Sequence, residues 1–309
     1  MARRQLREMD VDGDGFVSVD EYLHARRSKG ERERVTTRSH RRSEADSFET
    51  FDLDIKVLLA ILRQRSVLRH IACIPDVRLC LYRHSHTGKF HITHDTARRD
   101  RCPRYDGGAS LWLDGACGIM VTSLWERRPR LWLPRNILTS LTTCERDGYH
   151  FVVSNFGLYH STDLSEGHAN CLLFNLKTHT IERYEPVGRL YSDDTDRTIK
   201  RLFRAQARGW KYVGTQNAAP LLGPQAIGDS YHGMCVTFTI YFMLVRLLNP
   251  DKTPAQIYDF LVRGSARQIR SRALRLNKWV IEKLRRYERG ELEYGPTPPP
   301  RPRREHRRP

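Results

Sequence analysis

One cysteine in this sequence stands where a reactive thiol would be placed. Cys235 follows a glycine-bearing stretch, residues 224–234, and opens a run whose apolar residues recur at helical spacing until Asn249-Pro250 ends it. A thiol in the first turn of a helix faces the positive end of the helix dipole, which lowers the pKa of the thiol and favours the nucleophilic thiolate. A lone cysteine in such a place is more often an inert buried side chain. Its chemistry therefore depends on the residues that accompany it.

A histidine and a carboxylate earlier in the chain could accompany that cysteine. Two apolar runs with a polar turn between them predict a β-hairpin over residues 168–186, centred between residues 176 and 177. In that register His168 lies opposite Glu185 and shares a face of the sheet with it, whereas Glu182 lies on the other face. A carboxylate beside a histidine orients the imidazole and stabilises its protonated form. Such a cross-strand pair is also common in proteins where it has no catalytic role.

The order His168, Glu185, Gln225, Cys235 resembles the adenovirus-protease and Ulp1-like cysteine peptidases. In that family the triad runs histidine, acidic residue, cysteine, and a glutamine precedes the cysteine by several residues. The resemblance covers residues 149–251. Four short motifs are similar to those of Ulp1-like proteins of large DNA viruses: Gly167-His168-Ala169-Asn170, Glu182-Arg183-Tyr184-Glu185-Pro186, Gly233-Met234-Cys235 and Leu248-Asn249-Pro250-Asp251.

The resemblance implies a fold and a role for each of the four residues. Cys235 would be the nucleophile and His168 the general base, with Glu185 orienting His168. Gln225, together with the backbone N–H of Cys235, would stabilise the oxyanion. The implied fold is α+β, a papain-like cysteine peptidase core with a mixed sheet and packed helices. The implied substrate is a protein, either a polyprotein or a ubiquitin-like conjugate, cleaved at a peptide or isopeptide bond.

A second constellation, near the amino terminus, has the pattern of an EF-hand calcium loop. Residues 10–21 match D-x-[DN]-x-[DN]-G-x5-E at every specified position, with Gly15 at the sharp bend. Residues 5–9 and 19–27 are predicted to form the two short flanking helices, and no second loop follows. The sequence therefore predicts one bound Ca²⁺. Its predicted ligands are side-chain oxygens and one backbone carbonyl, from Asp10, Asp12, Asp14, Phe16, Ser18 and Glu21.

The rest of the sequence supplies the elements that must hold these residues in place. Apolar runs predict strands at residues 77–81, 90–93 and 149–159, the first two as a hairpin. Helical spacing of apolar residues predicts helices at residues 51–70, 131–141 (after Pro134), 253–262 and 265–288. The cysteines and histidines between residues 73 and 102 match no common zinc-ligand spacing, so a zinc site is disfavoured.

Composition and charge bound the class of protein. The chain has 309 residues, 39% of them hydrophobic, which is enough for one sizeable core with further segments at its ends. Its formal net charge of +17 predicts attraction to polyanions. The sequence predicts four parts: an α-helical EF-hand segment (1–28), a basic flexible linker (29–47), the peptidase core (48–288) and a disordered Pro/Arg-rich tail (289–309).

The sequence shows no signal for secretion or membrane insertion. Residues 1–29 are charged throughout, and the longest apolar run, residues 236–245, is too short to span a bilayer. Seven cysteines at irregular spacing predict reduced thiols. An intracellular protein, in the cytoplasm or nucleus of a host cell and away from membranes, is therefore expected.

Three functions remain open from the sequence. The leading hypothesis is a thiol peptidase that also binds calcium. The alternative is a calcium-binding EF-hand protein whose peptidase-like core is catalytically inactive and serves as an interaction module. Nucleic-acid binding through the basic linker and tail could accompany either, and a steep dependence of binding on salt would reveal it.

Overall fold

The computed structural model of this chain describes both motif-bearing regions. The described residues are 6, 8–27, 62, 68–73, 78–83, 90–93, 110–114, 119–122, 129–133, 137–159, 167–189, 193–229 and 234–288. The predicted linker (29–47), the predicted tail (289–309) and nearly all of the helix predicted at residues 51–70 lie outside them. The division of the chain into four parts therefore stays a prediction.

The fold belongs to the α+β class, as predicted. The described strands are β1 Ala72–Cys73, β2 Arg78–Arg83, β3 Phe90–Thr93, β4 Ser110–Asp114, β5 Ile119–Thr122, β6 Arg130–Trp132, β7 Phe151–Tyr159, β8 Gly167–Asn175, β9 Thr180–Tyr184 and β10 Lys211–Val213. The helices with described bounds are α1 Val19–Arg27, α2 Ile137–Arg146, α3 Asp193–Gln206, α4 Pro224–Gly228, α5 Cys235–Leu248, α6 Pro254–Leu261 and α7 Ala266–Glu288.

The larger sheet is mixed, with the strand order β10-β9-β8-β7-β5-β6. Strand β8 is antiparallel to β7 and β9, whereas β5 and β1 are parallel to β7, and β10 is parallel to β9. The smaller sheet is antiparallel, in the order β3-β2-β4. The predicted strands are thus confirmed as β2, β3 and β7, and the predicted pairing of the first two is confirmed as well.

Both faces of the larger sheet are buried. In β7, Phe151 and Val153 join a core formed with α5, α6 and α7, whereas Val152 and Phe156 join a core formed with α2 and α3. Side chains of a strand point alternately to its two faces, so a strand that is covered on both faces reads as a continuous apolar run. This is why residues 151–153 are all apolar.

Helix α5 lies at the centre of the first of these cores. Every residue from 237 to 248 is buried, as expected for a helix that is apolar on all sides. The helix begins at Cys235 and has Asn249 as its C-cap, as predicted. Each fully buried Phe, Leu or Met side chain contributes about 1.5–3 kcal/mol. The packing of this helix therefore fixes where Cys235 lies.

Helices α6 and α7 also agree with the sequence, because their starts follow local signals. Thr253 accepts a hydrogen bond from the Gln256 backbone N–H, and the Gln256 side chain accepts one from the Thr253 N–H, with Pro254 as the first helical residue. This reciprocal capping satisfies donors that the first turn leaves free. In contrast, α3 was not predicted from the sequence.

The hairpin that carries His168 is β8–β9, and its register differs from the prediction by two residues. Leu172 pairs with Arg183, whereas a hairpin centred as predicted would pair Leu172 with Ile181. Because side chains alternate with a period of two, a shift of two residues leaves every side chain on its original face. His168 and Glu185 therefore still share a face, although they are not directly opposite each other.

Two features bear on the predicted intracellular location. Cys73 and Cys144 form a disulfide, with their Cα atoms 6.1 Å apart, so the prediction that all thiols are reduced is wrong for this pair. Among the cysteines whose side chains are described, Cys171 and Cys235 are free. Within the described residues, no helix has both the length and the apolar character that a membrane span requires. The intracellular location itself stays a prediction.

Candidate active site

Helix α5 packs against strand β8 and brings the predicted cysteine beside the predicted histidine. Cys235 is the first residue of α5, and His168 is the second residue of β8. The side chain of His168 and the backbone of Ala169 and Val236 interact with the Cys235 thiol and lower its pKa. All three groups stabilise the thiolate relative to the thiol.

The other side of the imidazole is held by a carboxylate. His168 Nε2–H donates to Glu185 Oε1 at a distance of 2.6 Å. Because Nε2 is bonded to Glu185, Nδ1 is the ring nitrogen of His168 that remains available to the Cys235 sulfur. The side chain of His168 is 30% exposed and that of Glu185 only 6% exposed. The site thus has a solvent-accessible reactive side and a buried carboxylate behind it.

These contacts shift the pKa values of the cysteine and the histidine in opposite directions. Burial would lower the pKa of His168, but the charge of Glu185 and the hydrogen bond with Cys235 outweigh it and raise the pKa from 6.5 to about 10. Burial would raise the pKa of the Cys235 thiol, but the hydrogen bonds from His168 and the Ala169 backbone lower it below 9.0. The site therefore stabilises both the thiolate and the imidazolium relative to the same groups in water.

Glu185 is itself held from several sides. Its Oε2 accepts a hydrogen bond from Arg183 Nη2 at 2.9 Å, and its Oε1 accepts one from the Val187 N–H at 3.1 Å. Tyr258 fixes the backbone, since its hydroxyl oxygen accepts from the Glu185 N–H at 2.8 Å and donates to the Glu185 carbonyl at 3.2 Å. Burial would raise the pKa of Glu185, but the charges of His168 and then Arg183 lower it. Glu185 therefore stays ionised beside the imidazole.

The sequence did not identify Arg183 as part of the site. Its guanidinium is fully buried and binds Asp196 of α3 through Nη1 at 2.8 Å, in addition to Glu185. Asp196 also accepts hydrogen bonds from the hydroxyl groups of Tyr212 and Thr215. Arg183 could have been recognised from the sequence because it is a charged residue within a strand that is buried on both faces. Its partner could not be found, because α3 was not predicted.

Glu182 lies where the sequence placed it, on the face opposite Glu185. Both of its carboxylate oxygens bind the guanidinium of Arg246 on α5, at 2.8 and 2.9 Å. Glu182 and Arg246 are both nearly fully buried. This pair joins β9 to α5 and does not contact His168, so Glu182 has a structural role.

Gln225 lies in the short helix α4, close in space to the segment that follows Glu185. Its backbone N–H donates to the Pro186 carbonyl at 2.9 Å, and the Gly223 N–H donates to the Val187 carbonyl at 2.7 Å. The Gln225 side chain is buried, and its Oε1 has no hydrogen-bond partner among the described residues. Residues 230–233, between α4 and Cys235, lie outside the description. The oxyanion role of Gln225 stays a prediction.

The two chain segments can lie this close because glycines occur where they meet. A Cβ on Gly188 would lie 2.3 Å from the Gly223 nitrogen, and a Cβ on Gly223 would lie 2.4 Å from the Pro186 carbonyl oxygen. Gly188 also has a φ of +100°, which side-chain-bearing residues rarely adopt. Glycine at both positions thus permits the contact between the Glu185 and Gln225 segments.

The predicted calcium loop brings three of its carboxylates together. One oxygen each from Asp10, Asp12 and Glu21 lies within 4.8 Å of the other two. Glu21 Oε1 accepts from the Val11 N–H at 2.6 Å, and Asp10 Oδ2 accepts from the Gly15 N–H at 3.0 Å. The second oxygen of Asp10 is buried without a hydrogen-bond partner among the described residues. This donor set of hard oxygens fits a calcium ion.

The other predicted calcium ligands are not part of this carboxylate cluster. Asp14 Oδ2 instead binds Arg263 Nη1 at 2.9 Å. Ser18 Oγ accepts a hydrogen bond from the Glu21 N–H at 3.1 Å, as at the start of a helix. The Phe16 ring is buried against Phe260. Calcium binding by these residues stays a prediction.

Comparisons with known proteins leave the family open. No protein-family model matches this chain, and no curated protein matches it. Among solved structures, the chain is similar to the effector protein RavZ of Legionella pneumophila, with 11% sequence identity and a TM-score of 0.32 over 75% of this chain and 67% of the RavZ chain. At this TM-score the likeness assigns neither a family nor an activity. The site geometry alone bears on function.

Proposed function

We propose that this chain is a thiol peptidase that hydrolyses peptide or isopeptide bonds through Cys235, His168 and Glu185. One observation carries the proposal: the Cys235 thiol at the start of a buried helix interacts with the His168 imidazole, and Nε2 of that imidazole lies 2.6 Å from the buried Glu185 carboxylate. This is the arrangement of nucleophile, base and orienting group that activated-nucleophile enzymes use. A papain-like core of the adenain and Ulp1 type is the fold that we propose for it.

The three side chains can perform both halves of the reaction. The Cys235 thiolate attacks the carbonyl carbon, a C–S bond forms, and the carbonyl electrons move to oxygen. The tetrahedral intermediate then expels the amine, which takes the proton from the His168 imidazolium and leaves a thioester. Neutral His168 next removes a proton from water, whose oxygen attacks the thioester and releases the carboxylic acid and the thiolate. Glu185 stabilises His168 whenever it is protonated.

Gln225 is our candidate for stabilising the oxyanion, together with the backbone N–H of Cys235. The support is that the Gln225 carboxamide is buried and that its backbone is bonded to the segment following Glu185. A carboxamide N–H is a suitable donor for the developing negative charge. The proposed substrate is a protein, either a polyprotein or a ubiquitin-like conjugate, inside a cell.

A peptide-derived electrophile should label Cys235 covalently if the site works as proposed. Peptidyl vinyl sulfones, and ubiquitin-like proteins that carry an electrophile at their carboxyl terminus, test the peptide and isopeptide alternatives separately. Mass spectrometry should find the adduct on Cys235 and not on Cys171, which is fully buried. Cys235→Ser is the matched control. Labelling of other cysteines at the same rate would contradict the proposal and favour an inactive core that serves as an interaction module.

Calcium binding is the second function that we propose, favoured by the convergence of Asp10, Asp12 and Glu21. Side-chain oxygens of Asp10, Asp12, Asp14, Ser18 and Glu21, with the Phe16 carbonyl, would hold the ion. A bound Ca²⁺ would supply charge neutralisation and structural order to the loop. Polyanion binding by the linker and tail, residues 29–47 and 289–309, remains a further proposal, tested by the salt dependence of nucleic-acid affinity.

Glu21→Gln should abolish saturable calcium uptake by the full chain. The substitution removes one negative charge and the bidentate carboxylate. The amide oxygen can still accept hydrogen bonds from the Val11 and Asp12 N–H groups that Glu21 Oε1 now binds, whereas the amide nitrogen cannot accept the one from the Ser18 N–H. The loop should therefore keep two of its three hydrogen bonds to this side chain while it loses its ion. Isothermal titration with CaCl₂ measures the effect, and Val11→Ala, at an exposed loop position, is the control. Equal uptake by wild type and Glu21→Gln would refute the calcium site.

A further inference from the structure

The amino-terminal loop is bonded to the far end of the helix that begins with Cys235. The Val17 N–H donates to Asn249 Oδ1 at 2.7 Å, and Asn249 Nδ2 donates to the Val17 carbonyl at 3.0 Å. The side-chain amide therefore bonds the loop as a neighbouring strand would, through one acceptor and one donor. Asn249 is 6% exposed. We call these two hydrogen bonds the Val17–Asn249 clasp.

Asn249 is also part of the end of helix α5. Its Nδ2 donates to the Val245 carbonyl at 2.8 Å, in the last turn of the helix. Arg246, which binds Glu182 of β9, donates to the Asn249 carbonyl at 3.1 Å. Buried polar groups thus connect the loop to α5 and β9. Helix α5 carries the Cys235 thiol of the site, and strand β9 ends directly before Glu185, which supplies its carboxylate.

Aromatic contacts join the same surfaces. Phe16 stacks on Phe260 of α6, with ring centroids 4.8 Å apart and planes 15° apart. Tyr22 of α1 is fully buried and meets Trp279 of α7 edge-on at 6.4 Å. The amino-terminal segment therefore belongs to the same hydrophobic core as α5.

We propose that calcium in the amino-terminal loop controls the docking of this segment onto α5 and thereby the reactivity of Cys235. The inference rests on the calcium and peptidase functions proposed above. The carboxylates of Asp10, Asp12 and Glu21 repel one another at their present separation. A divalent cation removes that repulsion and holds both ends of the loop in place, with Val17 between them. Because docking and calcium binding are linked equilibria, each strengthens the other by the same factor.

Calcium titration of the full chain, in wild type and Asn249→Ala, tests the coupling. Wild type should show a higher thermal midpoint with CaCl₂ than with a chelator. Asn249→Ala should bind calcium about tenfold more weakly, because it lacks the clasp. Chelation should slow the alkylation of Cys235 by about fivefold in wild type.

Two further variants make the outcome decisive. Phe260→Ala removes the aromatic contact of Phe16 without changing any residue of the loop or Asn249, so it tests docking even if Asn249→Ala fails to fold. Val11→Ala, in the loop but exposed, should bind calcium like wild type. Wild-type calcium affinity in both Asn249→Ala and Phe260→Ala would overturn the inference.

The remaining outcomes separate this inference from the functions on which it rests. If wild type binds no calcium, the inference falls with the calcium site, while electrophile labelling of Cys235 still stands on its own. If calcium binds and raises the thermal midpoint but Cys235 reacts equally with calcium and with chelator, control of the reactive site is overturned. Weaker binding in both variants, with calcium-dependent alkylation, supports the proposal.

Discussion

His168→Ala is expected to slow the alkylation of Cys235 by iodoacetamide at pH 6.5 by at least about tenfold, the loss of thiolate for each unit by which the thiol pKa rises. The physical reason is that, of the interactions that lower the pKa of the Cys235 thiol, the one with the His168 side chain is the largest. Peptide hydrolysis, which also needs His168 to move protons, should fall by about 10²–10⁴-fold. The measurement is the alkylation rate of each cysteine against pH, read by mass spectrometry.

The pH dependence of the alkylation rate follows from the lowered pKa of Cys235 and the raised pKa of His168. In wild type, Cys235 should become reactive at a pH below its ordinary pKa, because His168 stays protonated up to about pH 10 and stabilises the thiolate. In His168→Ala the rate should rise only towards the ordinary cysteine pKa, so the two proteins should converge above pH 9. The raised pKa of His168 also contributes folding stability, which is complete below pH 6.5 and is lost as the pH rises through about 10.

Cys171 provides the internal reference for this experiment. It is fully buried in the core, and burial raises the pKa of its thiol well above the ordinary value. It should react slowly in both proteins at every pH tested. If native Cys235 reacts as slowly as Cys171, or if His168→Ala leaves the rate at pH 6.5 unchanged, the activated thiolate does not exist.

Arg183→Met is expected to lower the free energy of unfolding by about 3–5 kcal/mol. The variant leaves the carboxylates of Glu185 and Asp196 buried without the cation that now lies between them. Equilibrium unfolding in urea measures the loss. Arg275→Met is the matched control, because Arg275 pairs with Asp20 at 2.7 Å but both side chains are half exposed. Its loss should be only about 0.2–1 kcal/mol.

Acidification should narrow the difference in free energy of unfolding between wild type and Arg183→Met. In wild type the pKa values of Glu185 and Asp196 are lowered, so their contribution to stability is present near neutral pH and is lost as the pH falls. In the variant the buried Asp196 lacks its cation and Glu185 keeps only His168, so protonation of Asp196 should favour the folded state. This role of Arg183 would be contradicted if Arg183→Met lost as little free energy of unfolding as Arg275→Met does. It would also be contradicted if the loss relative to wild type grew from pH 7.5 to pH 4.5.

The sequence was most informative about single elements. The helix that starts at Cys235 and is capped by Asn249 was predicted because its apolar residues and its stop signal are neighbours along the chain. The alternation of β8 and β9 was also predicted well enough to put His168 and Glu185 on one face, although the register was displaced by two residues. A period of two tolerates that error, whereas a displacement of one would have separated the pair.

The sequence was less informative about what surrounds the pair. Arg183 lies in the motif that spans residues 182–186, but the sequence predicted no role for it. Nothing near Arg183 in the sequence shows that Asp196 would lie 2.8 Å from its guanidinium. The disulfide of Cys73 and Cys144 was likewise missed, because its two cysteines are 71 residues apart. No spacing rule links positions so distant.

Residue types and local spacing, by themselves, determined the thiol at the start of a helix, the histidine and carboxylate on one hairpin, and the acidic loop, whereas the α+β class was implied by the resemblance to cysteine peptidases. Only the tertiary structure decided that Cys235 reaches His168, that Arg183 holds Glu185, and that a loop at the amino terminus is bonded to Asn249, 232 residues later. The reason is physical. Periodicity and capping depend on neighbours along the chain, whereas contacts between distant segments depend on how whole elements pack, and that packing is a property of the entire core.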